Sequence, residues 1–264
     1  MSNSPVERRN KIIEILEQRE HVEVSYLSDA FQVSLMTIRR DLEKLEKDGK
    51  VIRMYGGVKL KTKRVYEYSM EERLNSNKRE KLAIAREAAR LIEDCDVVAF
   101  DASTTALEVS KLIKDRKDVT VVTNNLSIAI ELADAPEVVV ILLGGFLRGK
   151  SLSVMGASLK QYLEAIYIDK AFISSKALSF HEGLTDTAID EGEAKQAMQA
   201  MLSKSSEVIV LADHTKLGKV AFYKVCDKQG ITKIITDELI PLTPLQQECI
   251  NSYKEYGTPI ILAN

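Results

Sequence analysis

The chain has 264 residues, 45% of them hydrophobic, and a formal net charge of -2. That length suits two domains, one small and one of ordinary size. The longest apolar run, Val138 to Leu143, is too short to span a bilayer, and there is no low-complexity tract or tandem repeat. The near-neutral total hides an asymmetry. Residues 1–64 hold 14 Lys+Arg against 10 Asp+Glu, and the remainder holds 23 against 29. A basic N-terminal module on an acidic body attracts phosphate locally without making the whole surface sticky. Cys95, Cys226 and Cys249 are odd in number, far apart and without a Cys-x-x-Cys pair, so they read as reduced thiols of a cytosolic protein. The three histidines are scattered, which speaks against a zinc site, and no cofactor motif is expected. The N-terminus shows no signal-peptide core.

In chain order, Val6 to Leu16 reads as an amphipathic helix with Ile12, Ile13 and Leu16 as its apolar stripe. Val24 to Phe31 reads as a second helix, with Leu27 and Phe31 inward, and Gln32-Val33 as a turn. The next segment, Ser34-Leu-Met-Thr-Ile-Arg-Arg-Asp-Leu-Glu-Lys-Leu45, carries the most information. At helical period Leu35, Ile38, Leu42 and Leu45 share one face. Thr37, Arg40 and Lys44 share another, with Met36 and Arg39 beside them. The Ser34 hydroxyl is placed to cap the helix. An apolar back and a basic front near the N-terminal end is the layout of a helix that enters the major groove of DNA, where arginine reaches guanine edges or phosphates. Gly49 ends the helix. Val51 to Met54 and Val58 to Leu60 then flank Tyr55-Gly56-Gly57 as a hairpin. Helix, helix, turn, helix and hairpin make a winged helix-turn-helix, with Arg53, Tyr55 and Gly56 in the wing, and Arg53 and Lys59 placed for phosphates or the adjacent minor groove. The bland alternative is a helical dimerisation module with solvated arginines.

Residues 61–80 are charged and weakly patterned and read as a linker, leaving residues 1–60 as one domain and 81–264 as the other. From Lys81 helices alternate with apolar strands. Helices are expected over 82–92, 104–113, 126–133, 193–202 and 245–256. Strands are expected at Val97 to Phe100, Val119 to Val122, Val138 to Leu143, Ala171 to Ile173, Val208 to Leu211, Ile231 to Thr236 and Ile260 to Leu262. Strands that are apolar throughout are covered on both faces, so the second domain is an α/β fold with a mostly parallel sheet. Such sheets bind ligands at the carboxyl ends of their strands.

Polar clusters sit at those ends. Asp101-Ala-Ser-Thr-Thr105 follows a strand and opens a helix. Its three hydroxyls and backbone N–H groups suit phosphate, and plain N-capping explains Ser103 equally. Asn124 ends the next strand. Asp213-His-Thr-Lys216 ends a later one, with Lys216 as a point charge for a phosphate. Gly144-Gly-Phe-Leu-Arg-Gly-Lys-Ser151 matches the Walker A pattern, but a phosphate loop of that kind must run straight into a helix. Leu152-Ser-Val-Met-Gly156 is a poor helix start, so NTP hydrolysis is not expected; Arg148 and Lys150 either help hold a phosphorylated ligand or face water. His181, Glu182, Glu191, Glu193 and Lys195 place carboxylates near a lysine, which allows proton transfer on a sugar or simply acidic helix starts favoured by the dipole.

The quoted segments resemble the DeoR family of bacterial transcriptional regulators. Arg8, Ile12 and Leu16, Ser34-x-x-Thr37-Ile-Arg-Arg-Asp-Leu42 and Tyr55-Gly-Gly57 match its helix-turn-helix signature and wing. Asp101-x-Ser-Thr-Thr105, Val122-Thr-Asn124, Leu143-Gly-Gly-x-Leu-Arg148, Gly183-Leu-Thr and Ala212-Asp-x-x-Lys216 match its sensor motifs. The resemblance implies a ribose-5-phosphate-isomerase or CoA-transferase-like sensor. It implies double-stranded operator DNA and a phosphorylated sugar as partners of a homodimer or homotetramer. The sugar phosphate would meet Asp101, Ser103, Thr104, Thr105, Asn124, Arg148, Glu193, Lys195, Asp213 and Lys216. Many family members carry glycine where this chain has Ser103, which lets the backbone approach phosphate more closely there. The runner-up is a sugar-phosphate isomerase carrying a DNA-binding module, which needs a complete acid/base set in the cleft.

Overall fold

The computed structural model describes residues 4–18, 21–54, 57–60, 70–156, 163, 166–187, 194 and 207–264. The chain divides into two compact units, Met1–Tyr68 and Ser69–Asn264.

The first unit has three helices, α1 (Pro5–Gln18), α2 (Val24–Phe31) and α3 (Leu35–Lys47), and three short strands, β1 (Val22–Glu23), β2 (Val51–Met54) and β3 (Gly57–Leu60). Ile12, Ile13 and Leu16 of α1, Leu27 of α2 and Ile38, Leu42 and Leu45 of α3 close one core with Val22, Val51 and Val58. The hairpin β2–β3 pairs antiparallel, and β1 adds a third strand on β3. A two-residue strand offers no alternation to read, so sequence periodicity passes over it. At Gly57, where β3 meets β1, a Cβ would stand 2.0 Å from the His21 ring, so a larger residue there has to displace that exposed side chain. Leu35, expected on the apolar face, is 47% exposed. It is the first helical residue, and side chains on a helix tilt toward its N-terminus, which carries Leu35 past the edge of the core.

The second unit is built on a seven-stranded sheet of order β15-β14-β12-β9-β4-β5-β6. Its strands are β4 (Val97–Phe100), β5 (Val119–Thr123), β6 (Val138–Leu142), β9 (Lys170–Ile173), β12 (Glu207–Leu211), β14 (Lys233–Asp237) and β15 (Ile260–Ala263). Every pairing in it is parallel. The inner strands β4, β9, β12 and β14 are buried on both faces, as the absence of alternation requires, while the edge strand β6 leaves Val139 exposed. Val98 and Phe100 of β4 and Phe172 of β9 face α5 (Lys78–Arg90), α6 (Thr104–Ser110) and α7 (Leu126–Leu132). Ala99, Ala171 and Ile173 face the other layer. That layer contains α8 (Pro244–Tyr256) and a three-stranded antiparallel sheet of β10 (Ala177–Ser179), β11 (Gly183–Asp186) and β13 (Tyr223–Cys226).

One local difference from the sequence reading matters. Within the stretch read as linker, Met70–Asn75 forms helix α4 and α5 begins at Lys78. Met70 and Leu74, one turn apart, pack on the core of this unit, and two apolar residues among Glu71, Glu72 and Arg73 do not register as a periodic stripe. Residues 61–69 lie outside the described set, as does all of the helix expected over 193–202 except Ala194. The Walker-like stretch enters no helix. Phe146–Arg148 (β7) and Ser153–Met155 (β8) form an antiparallel hairpin, and Gly145 has φ +153° with its missing Cβ 2.1 Å from the Met155 carbonyl oxygen. The glycines serve a hairpin rather than a triphosphate.

Candidate functional site

In the first unit, α3 begins at Ser34, whose hydroxyl accepts the Thr37 N–H at 3.2 Å and lies 2.9 Å from the Thr37 hydroxyl. Its inner face is held by Asp41, buried against Arg8 at 2.5 Å and Arg9 at 3.4 Å. Its outer face presents Met36, Arg39, Arg40 and Lys44, all exposed, with Thr37 half-buried beside them. Arg39 and Arg40 make no ion pair with any described residue, while Lys44 pairs with Asp48 one turn on at 3.4 Å. The expected DNA-facing residues of α3 therefore share one surface. The wing residue Arg53 instead turns to α3, with Glu43 at 3.5 Å and Glu46 at 3.8 Å. These are exposed pairs of little strength, so a phosphate can take Arg53 from them at small cost. Tyr55 and Gly56 lie outside the described residues.

In the second unit the strand order reverses between β4 and β9. The chain runs outward from β4 to β5 and β6 on one side, and from β9 to β12, β14 and β15 on the other. The carboxyl ends of such a switch point open the crevice in which parallel sheets bind ligands. Asp101 follows β4, and its carboxylate accepts the Ser103 N–H at 3.2 Å and, across the switch, the Ser174 N–H at 3.0 Å. Ser174, which follows β9, accepts from the Lys216 ammonium at 2.7 Å through its hydroxyl and donates to the Leu211 carbonyl at 2.6 Å. One chain of hydrogen bonds thus runs from the 101–105 loop to Lys216. Thr104 and Thr105 are buried at its start, and the Ser103 hydroxyl caps α6 by accepting the Ala106 N–H at 3.1 Å.

The chain continues past Lys216. Asp213 lies 3.7 Å from that ammonium and accepts from the Asn77 amide at 3.2 Å and from the Thr215 hydroxyl. Burial raises the Asp213 carboxyl, but Lys216, the Thr215 hydroxyl and Lys81 outweigh it and hold the group below the usual carboxylate range. Lys81 is buried, and its ammonium donates to the carbonyls of Arg73 and, at 2.6 Å, Ser76. Burial first, then the Lys216 charge, with smaller contributions from Lys176 and Arg73, pushes its pKa down to about 7. Behind the rim, His214 is raised above its ordinary value, chiefly by its hydrogen bond to the Asp237 carboxylate at 2.8 Å. Asn124 gives its amide N–H to the Val154 carbonyl at 3.1 Å, and its buried Oδ1 has no partner among the described residues.

The structure therefore brings together Asp101, Ser103, Thr104, Thr105, Asp213 and Lys216, with Asn124 at the end of the neighbouring strand. Arg148 lies on β7, half-buried and in register with Ser153. Glu191, Glu193 and Lys195 lie outside the described residues. His181 and Glu182 sit exposed between β10 and β11, with Glu182 paired to Lys224 at 3.2 Å and the His181 ring against Phe180. Four residues of the rim were not anticipated: Arg73, Asn77, Lys81 and Ser174. Ser174 was within reach of the sequence, since it directly follows a predicted strand. The other three lie before or at the first residue of the expected sheet domain, in the stretch read as linker or at its border.

Residues 8–64 match the model of the DeoR-like helix-turn-helix domain, and residues 76–238 that of the DeoR C-terminal sensor domain. The chain is 39% identical over 257 residues, 97% of each protein, to the uncharacterized HTH-type transcriptional regulator YulB of Bacillus subtilis. It is 36% identical over 233 residues, 88% of each protein, to the HTH-type transcriptional repressor GlcR of the same species. Among solved structures, ribose 5-phosphate isomerase A of Methanocaldococcus jannaschii aligns with a TM-score of 0.39 at 18% identity, over 54% of this chain and 55% of its own.

Proposed function

The chain belongs to the DeoR family of DNA-binding transcriptional regulators, and from that premise we propose that it represses a carbohydrate-catabolism operon until a phosphorylated sugar binds the rim of its second unit. Its relatives are named as regulators, so the alternative of an isomerase carrying a DNA-binding module falls. The observation that carries the ligand reading is the cationic cluster at the switch point. Lys216 donates to Ser174 beside Asp101, Arg73 reaches the Ala102 carbonyl of the 101–105 loop, and the buried Lys81 donates to the Arg73 carbonyl, its pKa lowered first by burial and then by the Lys216 charge. Like charges held close in a partly buried site repel one another. A phosphate among them offsets that repulsion and also meets the Thr104 and Thr105 hydroxyls. The sugar hydroxyls then face Asp213 and Asn124.

At the other unit, Arg39, Arg40, Thr37 and Met36 read base edges or phosphates in the major groove, and Ser34, Lys44 and the wing residues Arg53, Tyr55 and Gly56 position the duplex. Repeated half-sites call for a homodimer or homotetramer. The sugar phosphate releases DNA because it binds more tightly to the arrangement that cannot hold the operator. The test is operator binding at fixed salt, with DNA from immediately upstream of the gene, titrated with phosphorylated sugars and their unphosphorylated forms. Release by one sugar phosphate and not by its parent sugar is expected. Tight operator binding that no sugar phosphate alters would leave the winged helix and remove the sensor reading.

A further inference from the structure

Helix α4 is the first element of the second unit, and the chain before it leads back to the DNA-binding unit. Three side chains or backbone groups of the 70–81 stretch are tied to the rim. The Met70 N–H donates to the Lys150 carbonyl at 2.8 Å. The Asn77 amide reaches Asp213 and, at 3.3 Å, the Thr215 hydroxyl. Arg73 reaches furthest. Its Nη1 donates to the Ala102 carbonyl at 3.5 Å and its Nη2 to the Ser151 carbonyl at 3.4 Å. Both distances exceed the ordinary range for N–H···O bonds. Nη2 also lies 3.6 Å from the Met70 sulfur. Among the described residues the buried Nε of Arg73 has no partner and the side chain makes no ion pair. A guanidinium is a planar fork of five donors that matches phosphate two bonds at a time. Here the fork sits on the 101–105 loop through Ala102, with two stretched bonds to carbonyls, a weak one to the Met70 sulfur, one donor unmet and no counter-ion among the described residues, and with Lys81 as a cationic neighbour. Such a fork is suited to an oxyanion that displaces the two carbonyls.

We propose that Arg73 is a further effector-binding residue: its guanidinium takes the ligand's anionic group at the 101–105 loop and thereby fixes α4, the segment that continues into the DNA-binding unit. This rests on the anion-sensor reading and adds its route outward. Occupancy of the rim is registered in α4 because the Arg73 side chain of that helix reaches the loop at Ala102, while Lys81 and Asn77 hold the turn behind it.

Hydrogen–deuterium exchange on the full chain, with and without inorganic phosphate, tests this. In the unsubstituted protein phosphate is expected to slow exchange in both 101–107 and 70–77. In Arg73→Ala and in Arg73→Lys, which keeps the charge and loses the fork, phosphate binding weakens about tenfold or more. At phosphate raised to saturation, 101–107 is again protected in both variants and 70–77 is not. Equal protection of 70–77 in the variants and the unsubstituted protein overturns the inference, as does protection of 101–107 alone in the unsubstituted protein. Protection of neither segment there removes the anion site itself, and this inference with it. Melting of each variant without phosphate, unchanged from the parent, separates lost binding from lost folding.

Discussion

The outer face of α3 and the rim of the seven-stranded sheet are both cationic, yet they keep their charges in opposite ways. Arg39 and Arg40 stand in solvent without ion pairs to any described residue, while Lys81 is buried and Lys216 is tied to Ser174 and Asp213. A DNA backbone is a long polyanion, and binding to it gains mainly from releasing condensed counterions, which exposed and hydrated charges achieve. A small metabolite offers one or two charges and must be recognised by groups already desolvated and aligned. The cost of that alignment is visible in the lowered pKa of Lys81. Exposed charge therefore predicts strong salt dependence on α3, and buried charge predicts proton linkage at the rim.

The largest expected effect lies on the hidden side of the DNA-binding unit. Asp41→Ala leaves Arg8 and Arg9 without their buried partner, and loss of one member of such a pair costs about 3–5 kcal/mol. Urea unfolding should show the first unit's transition moved down while the second unit's stays in place. Arg40→Ala removes an exposed arginine and should cost operator binding roughly 1–3 kcal/mol at fixed salt, with a shallower salt slope and unchanged phosphate affinity. The proton linkage is sharper with sulfate, which keeps its charge through neutral pH. Burial and the Lys216 charge push the Lys81 ammonium down to about 7, and a bound anion favours its charged form. Sulfate should therefore bind best below pH 7 and weaken as pH rises through it, by up to about tenfold per unit. Calorimetry should find a proton taken up on binding near pH 8, and Lys81→Met should flatten the profile. Smallest is Arg53→Ala, whose exposed pairs with Glu43 and Glu46 contribute at most about 1 kcal/mol to folding; thermal melting should barely move.

The two regions also differ in how far sequence reveals them. The α3 face is one continuous segment with a helical period, so its capping serine, apolar back and basic front are all local facts, and only Leu35 departed from the pattern. The sheet was equally legible, because β4, β5, β6, β9 and β12 are apolar runs bounded by polar residues. The rim is assembled from four stretches of chain. Asp101, Thr104, Thr105, Asp213 and Lys216 could be anticipated since each follows a strand. Arg73, Asn77 and Lys81 could not, because their role depends on α4 and the start of α5 lying against loops about 30 and 140 residues away in sequence, a packing fact that no local periodicity encodes. The β7–β8 hairpin shows the converse. Its glycines copy a nucleotide-binding pattern letter for letter, and the poor helix start that follows them already argues against it in sequence; the strand found there agrees.

The most direct measurement follows fluorescence anisotropy of labelled operator bound to the unsubstituted protein and to Lys216→Met, at one salt concentration, while a panel of phosphorylated sugars is added. The expected result is equal operator binding before addition, release of the unsubstituted protein by one sugar phosphate, and retention by Lys216→Met at the same concentration. Release of both proteins at the same concentration would contradict the account, because the rim at the switch point would then not be where the signal enters.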